Sequence, residues 1–219
     1  MKNMESLRRY GIFAVLLVLV IFFSITSENF LVPNNLLIIA RQISMLGIAS
    51  IGMAFVLLLG GIDLSIGSQI TLVNIVAAWL MVNGNLNPIL ACLASILLST
   101  AIGFTNGVIN AKVKMPPIIV TLSSMIMIEG IAYMISGGQP IFGFPEAFSV
   151  LGQGYVSIIP IPVIIMIVIM MIGSFILNST YFGRYFYAVG GNEEASNLSG
   201  INVDRVKFLV MHFLVCLQE

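Results

Sequence analysis

Charge is scarce in this chain. Nine basic and nine acidic residues among 219 make 8%, against roughly 25% in a soluble domain. With 59% hydrophobic residues and a mean hydropathy of +1.09, that shortage excludes a soluble globular protein. The two signs cancel, which gives no reason to expect a nucleic-acid partner. Cysteine is nearly absent too. Cys92 and Cys216 sit inside apolar segments without metal-ligand spacing, and both read as small packing residues, not as a disulfide. The single histidine, His212, has no His, Cys or carboxylate partner at ligand spacing and reads as packing, so no metal or other cofactor is expected. There is no Gly-x-x-x-x-Gly-Lys-Ser/Thr phosphate loop, so any ATP must be hydrolysed by another chain. No catalytic residue stands out, and the chain is not expected to be an enzyme.

What the sequence has in place of charge is long apolar runs. A basic leader with Lys2, Arg8 and Arg9 precedes the run from Gly11 to Ile25. No small-x-small cleavage site follows it, so it reads as a retained first membrane helix, not a signal peptide. Phe30 to Gln42 reads as a short interfacial helix ahead of helix two, Ile43 to Leu59. Ser50 and Ala54 on helix two form a small-xxx-small face. Helix three runs from Gln69 to Val82, and the turn at Asn83–Pro88 leads to helix four, Ile89 to Ala111. There Ala91, Ser95, Ser99, Gly103, Gly107 and Ala111 recur every four residues as a packing seam. Asn106 and Asn110 lie close to that seam, as interhelical hydrogen-bonding groups or as pathway residues. Helix five starts at Pro117 and carries Glu129, which can snorkel outward or face the bundle; an acid at that depth is a functional candidate by default. A connection from Ser136 to Ser157 without lysine or arginine leads to helix six, Ile158 to Leu177, and Val206 to Leu217 begins a seventh apolar segment. The fold class is therefore all-α, a polytopic membrane helix bundle of six full spans and the start of a seventh.

Orientation follows from the basic residues. With the amino terminus in the cytoplasm, Lys2, Arg8, Arg9, Lys112, Lys114, Arg184, Arg205 and Lys207 fall inside and only Arg41 falls outside. That asymmetry satisfies the positive-inside rule.

Two polar stretches interrupt the apolar pattern. The first is Gly60-Gly61-Ile62-Asp63-Leu64-Ser65-Ile66-Gly67-Ser68, between helices two and three. It is either a working break at membrane depth, where protein or water must meet its hydrogen bonds, or a short polar turn. If Asp63 is buried, it should accept hydrogen bonds from nearby backbone amides or from Ser65. The second is Gly183 to Ile201, with Arg184 near its start. Gly190-Gly191 is expected to break the chain, Asn192 to cap a short helix with Glu193 and Glu194 in its first turn, and Gly200 to stop it. Such a helix either docks on a soluble partner or is a capped surface element.

Both stretches resemble the permease subunits of bacterial ABC importers for ribose, xylose, arabinose and galactosides. Gly60 to Ser68 is similar to that family's signature. Ala188-Val189-Gly190-Gly191-Asn192 and Leu198-Ser199-Gly200-Ile201 resemble its ATPase-coupling loop, and Asn29-Phe30, Asn35-Leu36 and Gln42 follow its usual opening. The resemblance implies a permease in the bacterial plasma membrane that moves a monosaccharide. It implies two cytoplasmic ABC ATPase subunits, an extracytoplasmic sugar-binding protein and a second permease copy or paralogue as partners. Gly60, Gly61, Asp63, Ser65, Gly67 and Ser68 would belong to the pathway. Arg184, Gly190 to Ala195 and Gly200 would belong to the coupling loop. Glu129 departs from the family, which often carries arginine before the glycine of helix five. Relatives also run on with further membrane helices, so the resemblance implies a single permease domain over 1–219, incomplete at its carboxyl end. Two rivals stay open: a self-sufficient secondary transporter and a non-transporting remnant.

Overall fold

The computed structural model describes the backbone of residues 2–113 and 115–218, and the side chains of residues 11–110, 112, 113, 115–145, 148–150 and 152–210. The side chains of Lys2, Arg8, Arg9, Ala111, Lys114, His212 and Cys216, for which the sequence suggests roles, lie outside the described residues.

The chain packs as two units, residues 1–43 and 44–219. In the first, α1 (Lys2–Thr26) exposes its apolar side chains from Ile12 to Ile25 almost all round, as a lipid-facing helix would. The turn after it is closed by Phe23 against Phe30, with ring centroids 5.8 Å apart, and by Asn35 Nδ2 donating to the Phe30 carbonyl at 2.9 Å. Helix α2 (Pro33–Leu58) begins in this unit and runs on into the second without interruption. The expected separate interfacial helix is therefore not there. Nothing between Pro33 and Gly47 stops a helix, and Arg41-Gln42, a change of polarity, are good helix formers.

In the second unit α3 (Ile66–Val82) packs against both α4 (Pro88–Val108) and α5 (Pro117–Ser136). The seam on α4 forms as its spacing predicts: Ala91, Ser95, Ser99, Gly103 and Gly107 are all buried. Its Ala91 end meets Ala77 and Met81 of α3, so the seam has a partner within this chain. Helix four ends earlier than expected, at Val108, and a five-residue π turn, Ile109–Val113, follows. Asn110 Nδ2 closes that turn on the Met115 carbonyl at 2.9 Å, and Pro116-Pro117 prevents the helix from running on. On α2 the packed face is Gly47, Ile51 and Phe55. It meets Met166 and Gly173 of α7 (Ile161–Ser179). Ser50 and Ala54, the expected small face, are exposed, and the Ser50 hydroxyl donates back to the Leu46 carbonyl.

The connection from Ser136 to Ser157 holds more structure than its composition suggests. Pro145 precedes α6 (Glu146–Gln153), and strands β1 (Tyr155–Val156) and β2 (Ile159–Pro160) form a tight antiparallel hairpin. Beyond α7 come α8 (Tyr181–Gly191), α9 (Glu193–Leu198) and α10 (Val203–Gln218). One apolar cluster joins α8 and α10 to the end of α2, through Phe55, Val56, Phe186, Val189, Val203, Val206 and Val210. The all-α class holds, apart from the hairpin. The span count comes out coarser than expected. Among the described residues α2, α4, α5 and α7 are both long and apolar enough to cross a membrane. Gly11–Thr26 and Ile66–Val82 are apolar but shorter; at 1.5 Å per residue the 17 residues of α3 reach about 25 Å.

Candidate functional site

The break after α2 begins with a helix stop. Gly60 has φ +73°, a left-handed conformation that suits glycine. Its N–H bonds the Leu57 carbonyl at 3.0 Å and the Gly61 N–H bonds the Val56 carbonyl at 3.1 Å, the paired bonds of a Schellman cap. The chain then turns inward. Asp63 is buried, and one carboxylate oxygen accepts both the Ser65 N–H at 2.8 Å and the Ser65 hydroxyl at 2.6 Å. These are the bonds expected of a buried Asp63.

Ser65, fully buried, is the node of a wider network. Its hydroxyl donates to Asp63 and accepts from Gln69 Nε2 at 2.8 Å and Asn106 Nδ2 at 3.5 Å. That uses its one donor and both lone pairs. The Gln69 carbonyl oxygen accepts from the Ser99 hydroxyl at 3.0 Å, and Asn106 Oδ1 accepts from the Ser124 hydroxyl. The turn, α3, α4 and α5 are thereby tied together by buried polar groups. Unpaired, each would cost about 1–3 kcal/mol. Ser68 donates to the Ser65 carbonyl at 2.8 Å, and Thr121 of α5 reaches the Ile62 carbonyl at 3.4 Å. Gly67 is exposed, and a Cβ there would meet nothing. Asn106 is thus an interhelical hydrogen-bonding group, whereas Asn110 bonds locally. Sequence reasoning passed over Gln69, Ser99 and Ser124 as network members. The available signal was their being among the few polar side chains on otherwise apolar helices.

The second stretch departs from expectation at its glycines. Gly190 and Gly191 lie within α8 and do not break it. The break falls at Asn192, whose extended backbone, φ −160° and ψ 105°, separates α8 from α9. Gly190 is there for contact: an added Cβ would lie 1.7 Å from the Leu58 carbonyl oxygen, backbone against backbone. Gly191, next door, faces open space. The glycine pair marks a close crossing of α8 over the end of α2, beside the start of the Gly60-Gly61 turn. Gly183 is similar, since a Cβ there would lie 2.1 Å from the Leu177 carbonyl oxygen. Arg184 is exposed on α8.

Asn192 caps α9 as expected, its Oδ1 accepting the Ala195 N–H at 2.9 Å. Gly200, φ +86°, stops the helix, with its N–H on the Asn197 carbonyl and the Ile201 N–H on the Ser196 carbonyl. Glu193 and Glu194 occupy the first turn, and Glu193 pairs with Lys207 of α10 at 2.6 Å. Leu198, at the far end of α9, is 86% exposed. The two stretches share one end of the bundle. A cavity of about 250 Å³ is lined by Gly60 and Gly61 from the turn, Asn110 from the π turn, and Glu193 and Lys207 from the loop.

Apolar helices that turn a satisfied polar network inward define an integral membrane protein. Residues 35–217 match the family described as Branched-chain amino acid transport system / permease component, and the chain belongs to that family. It is 39% identical over 206 residues to the Ribose import permease protein RbsC of Bacillus subtilis, covering 93% of this chain and 64% of the relative. The RbsC of Haemophilus influenzae is 41% identical over 221 residues, 96% of this chain and 68% of the relative. The L-arabinose ABC transporter permease protein AraH of Azospirillum brasilense is 35% identical over 206 residues, 94% and 60%. The chain therefore spans 60 to 68% of the length of these curated relatives. No solved structure matches it.

Proposed function

We propose that this chain is the membrane-spanning permease subunit of an ATP-driven importer for a monosaccharide. In this reading it forms part of the translocation pathway, with Gly60 to Ser68 at its inner end, and leaves hydrolysis to separate cytoplasmic ATPase subunits. An extracytoplasmic sugar-binding protein delivers the substrate, and a second permease copy or paralogue completes the pathway. Residues 1–219 act as one transmembrane domain in the bacterial plasma membrane, amino terminus inside, with α1 and α3 completing six crossings and α10 beginning a seventh. The names of its relatives, import permeases for ribose and arabinose, support the substrate class.

The observation that carries the reading is the joint between the two stretches. Helix α9 is capped, acidic and exposed, with Leu198 projecting from it. It continues from a helix whose Gly190 touches the Leu58 backbone. A partner that seats on α9 and moves it must move the end of α2 and, through the turn, the Asp63–Ser65 node. That is a two-state element biased by a ligand on another subunit.

Co-expression of this chain with the importer's ATPase and affinity purification test the docking. The ATPase should co-purify, and Glu194→Lys combined with Leu198→Asp should release it while the chain stays inserted. Undiminished co-purification would refute docking at α9. Cysteine labelling tests orientation: a cysteine replacing Asn85 should react with an impermeant thiol reagent outside intact cells, and one replacing Asn192 should not.

A further inference from the structure

Glu129 is the one charged residue on α3, α4, α5 and α7, and neither the network nor the coupling joint uses it. It opens into a cavity of about 520 Å³ between α3 and α5, at the end of those helices away from the Gly60-Gly61 turn. That volume falls within the usual range for small-ligand sites, about 300–1,000 Å³. Along α5, Glu129 lies about 10 Å from the helix end at Ser136. Resting on the importer reading above, we propose that this cavity binds a neutral polyhydroxylated small molecule, a monosaccharide in its ring form, on its way into the bundle.

The cavity has a constructed mouth. Two successive left-handed glycines, Gly137 at φ +61° and Gly138 at φ +72°, end α5, and the Gly138 N–H donates to the Ser136 hydroxyl at 3.1 Å. The next segment lines the opening with Gln139 and Phe144. Phe144 stacks on Phe148 at 5.7 Å, and Phe148 packs on the cluster of Ala77, Met81 and Ala91, so this segment is anchored to α3 and α4. Gly138 presses on the Tyr133 ring so closely that a Cβ would lie 2.7 Å from it, which fixes the ring at the rim.

The lining chemistry selects the ligand class. Among the described residues, the side chains of Asn74, Glu129 and Gln139 make no hydrogen bond within the protein. A carboxylate accepts from hydroxyls, and each amide can both donate and accept, which matches the alternating needs of vicinal hydroxyl groups. Tyr133 and Phe144 offer ring surface to the C–H faces of a sugar. The lining holds no cation, and Glu129 repels anions, so an acidic ligand is excluded. A single carboxylate with no second acid beside it is also a poor cage for a metal ion.

The test is saturation-transfer NMR on the assembled importer in lipid nanodiscs without its binding protein, with D-ribose, L-arabinose and D-allose as probes and choline as the cationic control. At least one sugar should receive saturation. Glu129→Gln, which keeps the side chain's shape, and Asn74→Leu should each reduce that signal at least fivefold. Saturation of choline but of no sugar, or equal sugar signals in the wild type and both variants, would overturn the proposal. Uptake by the same wild-type importer with its binding protein restored separates the two readings. Sugar uptake without a Glu129-dependent NMR signal removes this site alone, and uptake of no sugar removes the importer reading beneath it.

Discussion

Gly60 and Gly200 stop their helices with the same device, a left-handed glycine and two backward hydrogen bonds, yet the chain beyond each stop behaves differently. After Gly60 it turns inward, and Asp63 and Ser65 are buried among partners from three helices. Around α9, by contrast, Glu194, Leu198 and Gly200 face outward. The inner segment resists displacement because its polar groups are mutually satisfied and shielded from lipid. The outer one is free to meet a partner. Between them lies a contact without slack, Gly190 on Leu58. A cap says where a helix ends and nothing about which face of the turn is used.

The inner segment should be the most sensitive to change. Asp63→Leu leaves the Ser65 N–H and hydroxyl without their acceptor and should cost about 3 kcal/mol, whereas Asp63→Asn retains an acceptor oxygen and should cost much less. Denaturation of the purified protein in detergent micelles measures the difference, and equal stability of the two variants would make the inner segment a plain turn. The joint comes next. Gly190→Ala forces a methyl into the Leu58 backbone and should cost about 1–3 kcal/mol and, in the proposed importer, abolish uptake. Gly191→Ala, with open space, should keep uptake and gain about 1 kcal/mol from helix propensity. Equal uptake by the two would remove the mechanical link.

The outer segment should yield smaller effects. Gly200→Ala places a side chain at φ +86° and should cost about 1–2 kcal/mol, read by the same denaturation. Asn192→Ala loses the bond to the Ala195 N–H and should cost about 1 kcal/mol. Smallest of all is Lys207→Met, which removes an exposed pair worth about 0.2–1 kcal/mol. Its effect should vanish in high salt, and an effect independent of salt would place the pair in a drier setting than its exposure indicates.

Legibility in the sequence depended on distance along the chain. The α4 seam is legible because a four-residue repeat of small side chains is a property of the helix itself. The Asn192 cap and the Gly200 stop are legible for the same reason. Gly190-Gly191 reads as a break, and is not one, because glycine serves loose backbone and close crossing equally well, and only the position of Leu58 distinguishes them. Arg41-Gln42 reads as a boundary because polarity changes there, while helix propensity does not. Ser50 and Ala54 have the spacing of a packing face, but the neighbouring stripe of Gly47, Ile51 and Phe55 is the one that meets Met166 and Gly173.

By itself, then, the sequence determined the membrane class, the principal apolar helices, the caps and the two polar stretches with their family resemblance. Each of these depends on composition or on spacing within a turn or two of backbone. The tertiary structure decided that Ser65 bonds Asn106 and that Ser99 bonds Gln69, 41 and 30 residues apart. It also decided that α8 crosses the end of α2 at Gly190, and that Glu129 opens into a cavity roofed by a loop. Such pairings follow from which helix faces are brought together, and a local pattern carries no information about the face that will be opposite.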